Sequence, residues 1–232
     1  MDAVIVSDVH CDGPASPTQA AFLRFLATRP AETVVLGGDV FHAFAAPRRR
    51  PFSAYAPVIE ALSTFSVVVV PGNHDWLLPA FLAEHSARVP VGPHGAIGAR
   101  VELTLGGLRA RVAHGDEVDP NPRYRAFHAG LRSRAFASAL DALGETGAWK
   151  LMHRLAGPLG DGHSDPKLVS AQRGLAGGWI SDGVELVVLG HTHVPSCERM
   201  GAGTFLNPGD WVRHRTYGVV HGREVELRRF EG

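Results

Sequence analysis

Short apolar runs recur along the chain, and each run ends in a polar segment that contains glycine. The runs are Val4–Val6, Thr33–Leu36, Val67–Val70, Leu108–Ala113 and Leu186–Leu189. Their length and their β-branched residues predict buried strands. Helical patterns near Gln19–Thr28 and Ala54–Ser63 separate the first three runs. This alternation predicts βαβ units, and so an α/β fold.

The later part of the chain has a different pattern. Residues 101–105 and 108–113 predict a hairpin that turns at Gly106-Gly107. Residues 122–156 carry apolar positions at helical spacing, and a Gly-, Asp- and Pro-rich loop follows at 157–166. β segments are predicted at 204–206, 216–221 and 224–229. We therefore expect one domain over residues 1–232, with a helical insertion at about 120–165.

Polar side chains follow the predicted strands at the points where the strands end. They are Asp8, His10, Asp39, Asn73, His114, His191 and His193. Ligands of open α/β sheets gather at the carboxyl ends of strands. Asp-x-His at 8–10 and His-x-His at 191–193 place alternate side chains on one side of an extended segment. Glycines next to Asp39, Asn73 and His114 let the backbone approach closely at those points.

The donor types in this set indicate a metal centre. Imidazole, carboxylate and amide ligands together suit Mn²⁺, Fe²⁺ or Zn²⁺ better than Ca²⁺, and Mn²⁺ is our first choice. Any one of these residues could instead be a hydrogen-bonded polar group at a strand end. Five such sites in this order favour the metal centre.

The motifs resemble those of the calcineurin-like metallophosphoesterases. The segments that carry the resemblance are Asp8-x-His10, Gly38-Asp39, Gly72-Asn73-His74-Asp75, His114 and Gly190-His191-Thr192-His193. The resemblance implies a four-layer α/β/β/α sandwich that binds two divalent metal ions. It implies one ion on Asp8, His10 and His193, and a second ion on Asn73, His114 and His191. Asp39 would bridge the two ions, and His74 and Asp39 would be catalytic.

A narrower resemblance is to the UDP-2,3-diacylglucosamine diphosphatases of lipid A synthesis. It is carried by Phe22-Leu23-Arg24-Phe25-Leu26, by His114-Gly115-Asp116 and by Tyr124-x-x-Phe127 on the insertion. It implies a helical cap over acyl chains, with Tyr124, Phe127, Leu131 and Arg123 in contact with a phosphorylated or nucleotide-linked lipid. The products would be UMP and 2,3-diacylglucosamine 1-phosphate. The chain departs from this pattern at His74, where those enzymes carry Arg, and at His42, where they tend to carry an acidic residue.

Several charged and polar segments allow two interpretations each. Arg123, Arg125, Arg132 and Arg134 surround the apolar insertion positions, which suits an anionic lipid at a membrane face or an ordinary amphipathic helix. Arg48-Arg49-Arg50 could grip a phosphate or lie in a solvated loop. Asn207 and Asp210, in a segment that resembles the same subfamily, either face substrate or fix turns, and we favour turns. His85, His94, His163, His214 and His221 have no ligand-like spacing.

Composition narrows the class of protein. The formal net charge is zero, which gives no case for a nucleic-acid partner. The two cysteines, Cys11 and Cys197, fit a reducing compartment, and Cys11 is either a buried thiol or a metal contact. There is no signal-peptide pattern and no apolar run of about 18 residues. We expect a cytoplasmic protein, possible contact with the cytosolic face of the inner membrane, and no sequence signal for the oligomeric state.

Three functions are compatible with these features. The first is hydrolysis of the diphosphate in UDP-2,3-diacylglucosamine. The second is phosphodiester or phosphomonoester hydrolysis on a soluble nucleotide or phosphoprotein. The third is a non-catalytic, metal-stabilised scaffold, which the presence of all the motif residues disfavours.

Overall fold

The computed structural model describes residues 2–45, 52–78, 81, 99–156 and 165–232. Several residues singled out in the sequence therefore lie outside the described residues. They are Arg48-Arg49-Arg50, His85, His94, His163 and most of the predicted loop at 157–166.

The described residues form ten strands and five α-helices. The strands are β1 (Ala3–Val6), β2 (Thr33–Leu36), β3 (Ser66–Val69), β4 (Arg100–Leu105), β5 (Leu108–Ala113), β6 (Leu186–Leu189), β7 (Ser196–Met200), β8 (Gly203–Asn207), β9 (Thr216–His221) and β10 (Glu224–Arg229). The helices are α1 (Pro17–Ala27), α2 (Ala56–Leu62), α3 (Pro122–Leu131), α4 (Arg134–Ala156) and α5 (Pro166–Ser181). Short 3₁₀ turns lie at Ser53–Tyr55 and Asp116–Val118.

The strands form two five-stranded sheets. The first has the order β10-β9-β1-β2-β3, and the second has the order β4-β5-β6-β8-β7. Strands β1, β2 and β3 are parallel, and their register places Ile5, Val35 and Val68 in one row across the sheet. In the second sheet, β5, β6 and β8 are parallel. The carboxyl ends of parallel strands therefore meet at one edge of each sheet.

The two sheets pack face to face, and helices cover their outer faces. Ile5, Val35 and Val188 belong to one buried cluster between the sheets. On the outer face of the first sheet, Phe22 and Phe25 of α1 are buried in a second cluster. On the outer face of the second sheet, Trp179 of α5 packs in a third cluster. This arrangement confirms the four-layer α/β/β/α sandwich.

Three helices begin with the same local signal, a polar cap followed by proline. The side chains of Ser16, Asn121 and Asp165 accept hydrogen bonds from backbone N–H groups in the first turns of α1, α3 and α5. These caps satisfy donors that the helix itself cannot. A proline at the first helical position loses no bond, because its N–H would have been unpaired.

The helical insertion consists of α3 and α4, and α4 contains two helical segments that meet at Gly144, where φ is 64°. The second segment shares the outer core of the first sheet, because Ala148 and Met152 are buried in the same cluster as Tyr55. The division of the chain into one domain with an insertion at about 120–165 stays a prediction. None of the described helices has the length and apolar character needed to cross a bilayer.

Most predicted elements are confirmed, including the five buried strands, the first two helices and the hairpin. Gly106 and Gly107 have φ of 54° and 79°, as a two-residue hairpin turn requires. The sequence interpretation missed two elements, α5 and the edge strand β7. Strand β7 alternates half-buried and exposed residues and carries few apolar ones, so its pattern does not stand out.

Two glycine-to-alanine substitutions, one between the sheets and one on a helix, test the packing between the sheets. A Cβ on Gly218 would lie 2.5 Å from Leu206 Cδ2, in the space between the sheets, whereas a Cβ on Gly174 of α5 would meet nothing within 4 Å. We expect Gly218→Ala to lower the free energy of unfolding by about 1–3 kcal/mol through overpacking. Gly174→Ala should raise it by roughly 0.5–1 kcal/mol, because alanine favours the helix. Urea denaturation measures both, and equal effects would contradict the packing described.

Candidate metal centre

All the predicted ligands lie in the loops that follow β1, β2, β3, β5 and β6, at the carboxyl ends of those strands. They are Asp8, His10, Asp39, Asn73, His114, His191 and His193. Their side chains are buried except for that of His193, which is 16% exposed. The fold brings them together in two groups.

The first group consists of Asp8, His10 and His193. The two histidine Nε2 atoms lie 3.2 Å apart, and His193 Nε2 lies 3.2 Å from Asp8 Oδ1. Two nitrogens that each lie about 2.1 Å from one cation are separated by roughly 3 Å. The spacing of these atoms therefore fits ligation of a single divalent ion.

The second group consists of Asp39, His114 and His191, with Asn73 beside it. One ligand atom from each of the first three lies within 4.8 Å of the others. His114 Nε2 is 3.3 Å from Asp39 Oδ2 and 3.1 Å from Asn73 Oδ1. The backbone carbonyl of Asp39 also accepts a hydrogen bond from the backbone N–H of His10, in the first group, at 3.0 Å. Asp39 is thus placed between the two groups.

The backbone at these residues adopts a conformation that non-glycine residues rarely take. Five predicted ligands have positive φ: Asp8 (51°), His10 (53°), Asp39 (53°), His191 (68°) and His193 (54°). Elsewhere in the described ranges, only Arg29 and Arg215 share this conformation among non-glycine residues. Such conformations cost free energy and concentrate at functional sites. Residues 8–10 and 191–193 are therefore not the extended segments that the spacing predicted, and the local strain marks the same residues as the sequence motifs.

Glycines beside the ligands allow the close approach that the sequence suggests. A Cβ on Gly72 would lie 2.0 Å from Asp39 Oδ1, and a Cβ on Gly38 would lie 2.4 Å from His114 Nδ1. Any side chain at these positions would displace a ligand, so the glycines are required by packing.

The electrostatics of the site depend on two buried carboxylates. Burial opposes ionisation of Asp8, but His193 holds the pKa of Asp8 well below its ordinary value. Burial likewise opposes ionisation of Asp39, and the charge of His114 lowers its pKa. Burial lowers the pKa of His10, so its imidazole is neutral. Anionic oxygens beside a neutral imidazole form a donor set suited to divalent cations.

Several buried polar atoms at the centre have no hydrogen-bond partner among the described residues. They are His10 Nδ1, Asn73 Nδ2 and His74 Nε2. Buried polar atoms are almost always paired in folded proteins, so unpaired ones that converge on one place indicate a ligand. These atoms and the donor types fit two divalent metal ions and a bound polar substrate.

His74 has a fixed orientation. Its Nδ1–H donates to the carbonyl oxygen of His42 at 2.6 Å, and its backbone N–H donates to Asp39 Oδ1 at 2.8 Å. Because the carbonyl can only accept, Nδ1 carries the hydrogen, and Nε2 is the atom that remains for substrate. His42 itself is half-buried, with its ring centroid 5.5 Å from that of His74.

Residues outside the predicted ligand set fix the loops that carry the ligands. The sequence interpretation gave these residues no role. Asp75 accepts backbone N–H groups of Gly72 (2.7 Å), Asp39 (3.2 Å) and Val40 (2.8 Å). It thereby ties the loop after β2 to the loop after β3. Burial is the main reason that the pKa of Asp75 is raised, to about 7, and the charge of Asp39 adds to it.

Gln172 of α5 ties two other ligand loops together. Its Nε2 donates to the carbonyls of Gly115 (3.3 Å) and Gly190 (3.0 Å). Its Oε1 accepts from the hydroxyl of Thr192 at 3.3 Å. Asn207 supports the same loop, because its Nδ2 donates to Gly190 O at 3.2 Å and Thr192 Oγ1 at 2.8 Å.

The C-terminal polar residues also stabilise turns. Asn207 Oδ1 accepts from the backbone N–H of Gly209. Asp210 accepts from the backbone N–H of Arg213 and from His214 Nδ1, each at 2.6 Å. These contacts agree with the favoured interpretation that Asn207 and Asp210 fix turns. Cys11 is fully buried in the outer core, and burial raises the pKa of its thiol.

The insertion contacts the loop that carries His10 of the first metal group. His153 of α4 places Nε2 at 2.5 Å from Asp12 Oδ1 and donates through Nδ1 to Trp149 O at 2.9 Å. The His153 and Trp149 rings stack with centroids 3.9 Å apart. Since Asp12 lies two residues after His10, this contact anchors α4 beside a ligand loop.

The four predicted substrate contacts lie at different places on α3. The ring centroid of Tyr124 is 5.8 Å from that of His191. Phe127 is half-buried, Leu131 is buried and Arg123 is exposed. Among the nearby arginines, Arg132 pairs with Asp116 at 3.2 Å. Substrate contact by these four residues stays a prediction, and Tyr124 is the one beside the metal centre.

The fold and this donor set define a metal-dependent hydrolase. Residues 1–195 match the family model described as calcineurin-like phosphoesterase, and the chain belongs to that family. The protein is accordingly a phosphoesterase, and the family relies on divalent metal ions.

Two relatives agree with this assignment, and a solved structure shares the fold. The chain is 27% identical over 235 residues to a UDP-2,3-diacylglucosamine hydrolase of Xanthomonas campestris pv. campestris, covering 91% of this chain and 92% of that protein. It is 26% identical over 228 residues to the protein of the same name from Ralstonia nicotianae, covering 89% and 82%. An archaeal phosphodiesterase structure aligns with a TM-score of 0.54 at 14% identity, over 98% of this chain and 99% of that one. The last similarity concerns the fold alone.

The role of Gln172 can be tested through metal affinity. Gln172→Leu keeps the volume but removes the bonds to the two ligand loops, so we expect the affinity for Mn²⁺ to fall by about 10- to 100-fold, as when outer partners of metal ligands are removed. Calorimetric titration of chelator-treated protein measures the change. Arg173→Ala, an exposed neighbour on α5, is the control and should bind normally. Unchanged affinity in Gln172→Leu would show that the loops hold without this residue.

Proposed function

We propose that the enzyme hydrolyses the diphosphate of UDP-2,3-diacylglucosamine to UMP and 2,3-diacylglucosamine 1-phosphate. The observation that carries this proposal is the position of Tyr124 on the insertion, 5.8 Å from the ring of His191 in the second metal group. A helical insertion beside the metal centre offers a surface for the organic part of a large substrate. The proposal is supported by the names of the two bacterial relatives, which align along nearly the whole chain.

We assign one cation to Asp8, His10 and His193 and a second to Asn73, His114 and His191. Asp39 would contribute to both sites, because its Oδ2 lies 3.3 Å from His114 Nε2 and its carbonyl accepts from the backbone N–H of His10. When bound, two such ions lower the pKa of a water molecule, which makes it a nucleophile, and neutralise charge on the phosphoryl oxygens. Mn²⁺ is the proposed ion, with Fe²⁺ and Zn²⁺ as alternatives that suit the same donors.

The chain's own residues orient the leaving group. His74 Nε2 faces the centre because Nδ1 is held by His42 O. As an imidazolium it can give a hydrogen bond or a proton from Nε2 to the departing oxygen. Burial of the surrounding polar atoms keeps water away from this contact and strengthens it.

The outer surface of the insertion favours contact with an anionic membrane face. Arg123 and Arg125 are exposed on α3, and Leu143 on α4 is 50% exposed. Exposed cations together with an apolar side chain suit peripheral binding to anionic lipids. We therefore place the enzyme in the cytoplasm, with the insertion at the inner membrane where its lipid substrate resides.

A phosphodiesterase or phosphomonoesterase acting on a soluble nucleotide or phosphoprotein is the second candidate. The observation that favours it is His74 itself. Expelling an alkoxide needs a proton, which an imidazole can give and an arginine cannot. Expelling a phosphate monoester needs less help, since that leaving group is already stable as an anion.

Metal removal and Asp39→Ala test the dinuclear assignment. Excess chelator should abolish hydrolysis, and Mn²⁺ should restore it. Asp39→Ala removes the carboxylate between the two groups, and a loss of roughly 10³-fold in kcat fits the loss of a preorganised electrostatic interaction. Steady-state kinetics on a chromogenic diester measure both effects. Asp182→Ala, an exposed carboxylate, is the control, and near-normal rates for Asp39→Ala would end the dinuclear assignment.

His74→Arg distinguishes the two candidate substrates. The wild type should release UMP from UDP-2,3-diacylglucosamine in mixed micelles, faster than from monomeric substrate. His74→Arg should keep much of this activity, because arginine still provides a fixed cation. It should lose activity on alkyl phosphodiesters in proportion to the pKa of the leaving group, since it cannot donate a proton.

The leaving-group series is run on both proteins under identical metal loading. If losses in His74→Arg do not grow with leaving-group pKa, His74 is not the acid. If the wild type releases no UMP from the lipid nucleotide, the soluble phosphoester becomes the leading substrate.

A further inference from the structure

Helix α3 presents one side of its surface to the sandwich. Tyr124, Phe127, His128 and Leu131 form a stripe at helical spacing on that side, and the residues between them are exposed. Three of the four have large apolar rings or chains. The exception is His128, which is 4% exposed and therefore as buried as a core residue.

His128 is buried, and the part of the chain that the structure describes gives its ring no hydrogen-bond partner. Neither Nδ1 nor Nε2 has a hydrogen-bond partner among the described residues, and the buried hydroxyl of Tyr124 also lacks one there. The two rings contact each other with centroids 4.3 Å apart. Leaving buried donors and acceptors unpaired costs free energy, and a structural role alone would be filled better by a phenylalanine.

The position of His128 and Tyr124 indicates which group could form hydrogen bonds with their polar atoms. Tyr124 lies beside His191 of the second metal group, and Asp39 is among the charges that act on His128. A group attached to a phosphoryl oxygen at that metal site would lie under α3. Burial lowers the pKa of His128 to about 4, so the imidazole is neutral and offers one donor and one acceptor.

We propose that His128, with the Tyr124 hydroxyl, binds a neutral hydrogen-bonding group of the substrate, a sugar hydroxyl or amide attached to the phosphoryl group. This inference rests on the proposed function and extends it, because it names the part of a nucleotide-linked sugar that the insertion recognises. These two neutral side chains would favour sugar phosphates over inorganic phosphate. A site that hydrogen-bonds one group of a substrate rejects a ligand that lacks this group, because the polar atoms of the site then stay unpaired.

The test compares two inhibitors of chromogenic diester hydrolysis by the Mn²⁺-loaded full chain. One inhibitor is N-acetylglucosamine 1-phosphate, which carries hydroxyls and an amide, and the other is inorganic phosphate. His128→Phe and Tyr124→Phe keep the rings and remove the polar atoms. We expect each variant to raise the inhibition constant of the sugar phosphate by about 3- to 10-fold, the effect of one lost hydrogen bond. The inhibition constant of inorganic phosphate should stay within about twofold.

Two controls separate a binding role from a structural one. His221→Phe makes the same substitution at an exposed site and should leave both inhibition constants unchanged. The melting temperature of His128→Phe should not fall, because the change removes ring nitrogens that have no partner within the described ranges. The inference would be overturned if the inhibition constants of both inhibitors rose equally, or if that of the sugar phosphate did not rise. It would also be overturned if the wild type did not bind the sugar phosphate more tightly than inorganic phosphate. If the enzyme does not cleave UDP-2,3-diacylglucosamine, the proposed substrate is wrong. The comparison of the two inhibitors still decides whether His128 binds a sugar phosphate.

Discussion

The site depends on two carboxylates, Asp8 and Asp39, that are fully buried where the two sheets meet. A buried charge is expensive unless a partner balances it. Without metal, His193 and His114 provide that balance, because Asp8 and Asp39 respectively raise the pKa of these two histidines against the effect of burial. A divalent cation can replace those protons and leave neutral imidazoles as ligands. The fold is thus arranged around negative charge that either two protonated histidines or divalent cations can balance.

Holding these groups in place requires backbone conformations that the chain would not adopt by itself. Five predicted ligands have left-handed φ, and such strain persists only where the surroundings over-determine it. Asp75 supplies part of that constraint by accepting backbone N–H groups from two ligand loops. Gln172 and Asn207 supply another part by holding the loop after β6. The ligands are therefore positioned by backbone hydrogen bonds from residues that touch no metal.

The ligand motifs and most strands could be predicted because their signals are local. Asp8 and His10, for example, follow directly on an apolar run, and short β-branched runs mark buried strands. Gln172 could not be found this way, since it acts on Gly115, 57 residues away, and spacing does not encode that contact. Its helix did carry a local signal, the Asp165 cap before Pro166. His128 sits in an apolar stripe whose burial was predictable, but the lack of a partner for its ring among the described residues is a property of the folded site.

The insertion links substrate choice to metal geometry. The second half of α4 lies in the same core cluster as Tyr55, so it cannot detach as a loose lid without exposing apolar surface. Its contact from His153 to Asp12 lies two residues from His10. By contrast, α3 is held by its buried stripe, which includes Leu131, and by the Arg132–Asp116 pair, a weak type of contact. The ring nitrogens of its His128 have no hydrogen-bond partner among the described residues. The insertion therefore fixes the loop of the first metal group through α4 and offers unpaired polar atoms to a substrate on the described part of α3.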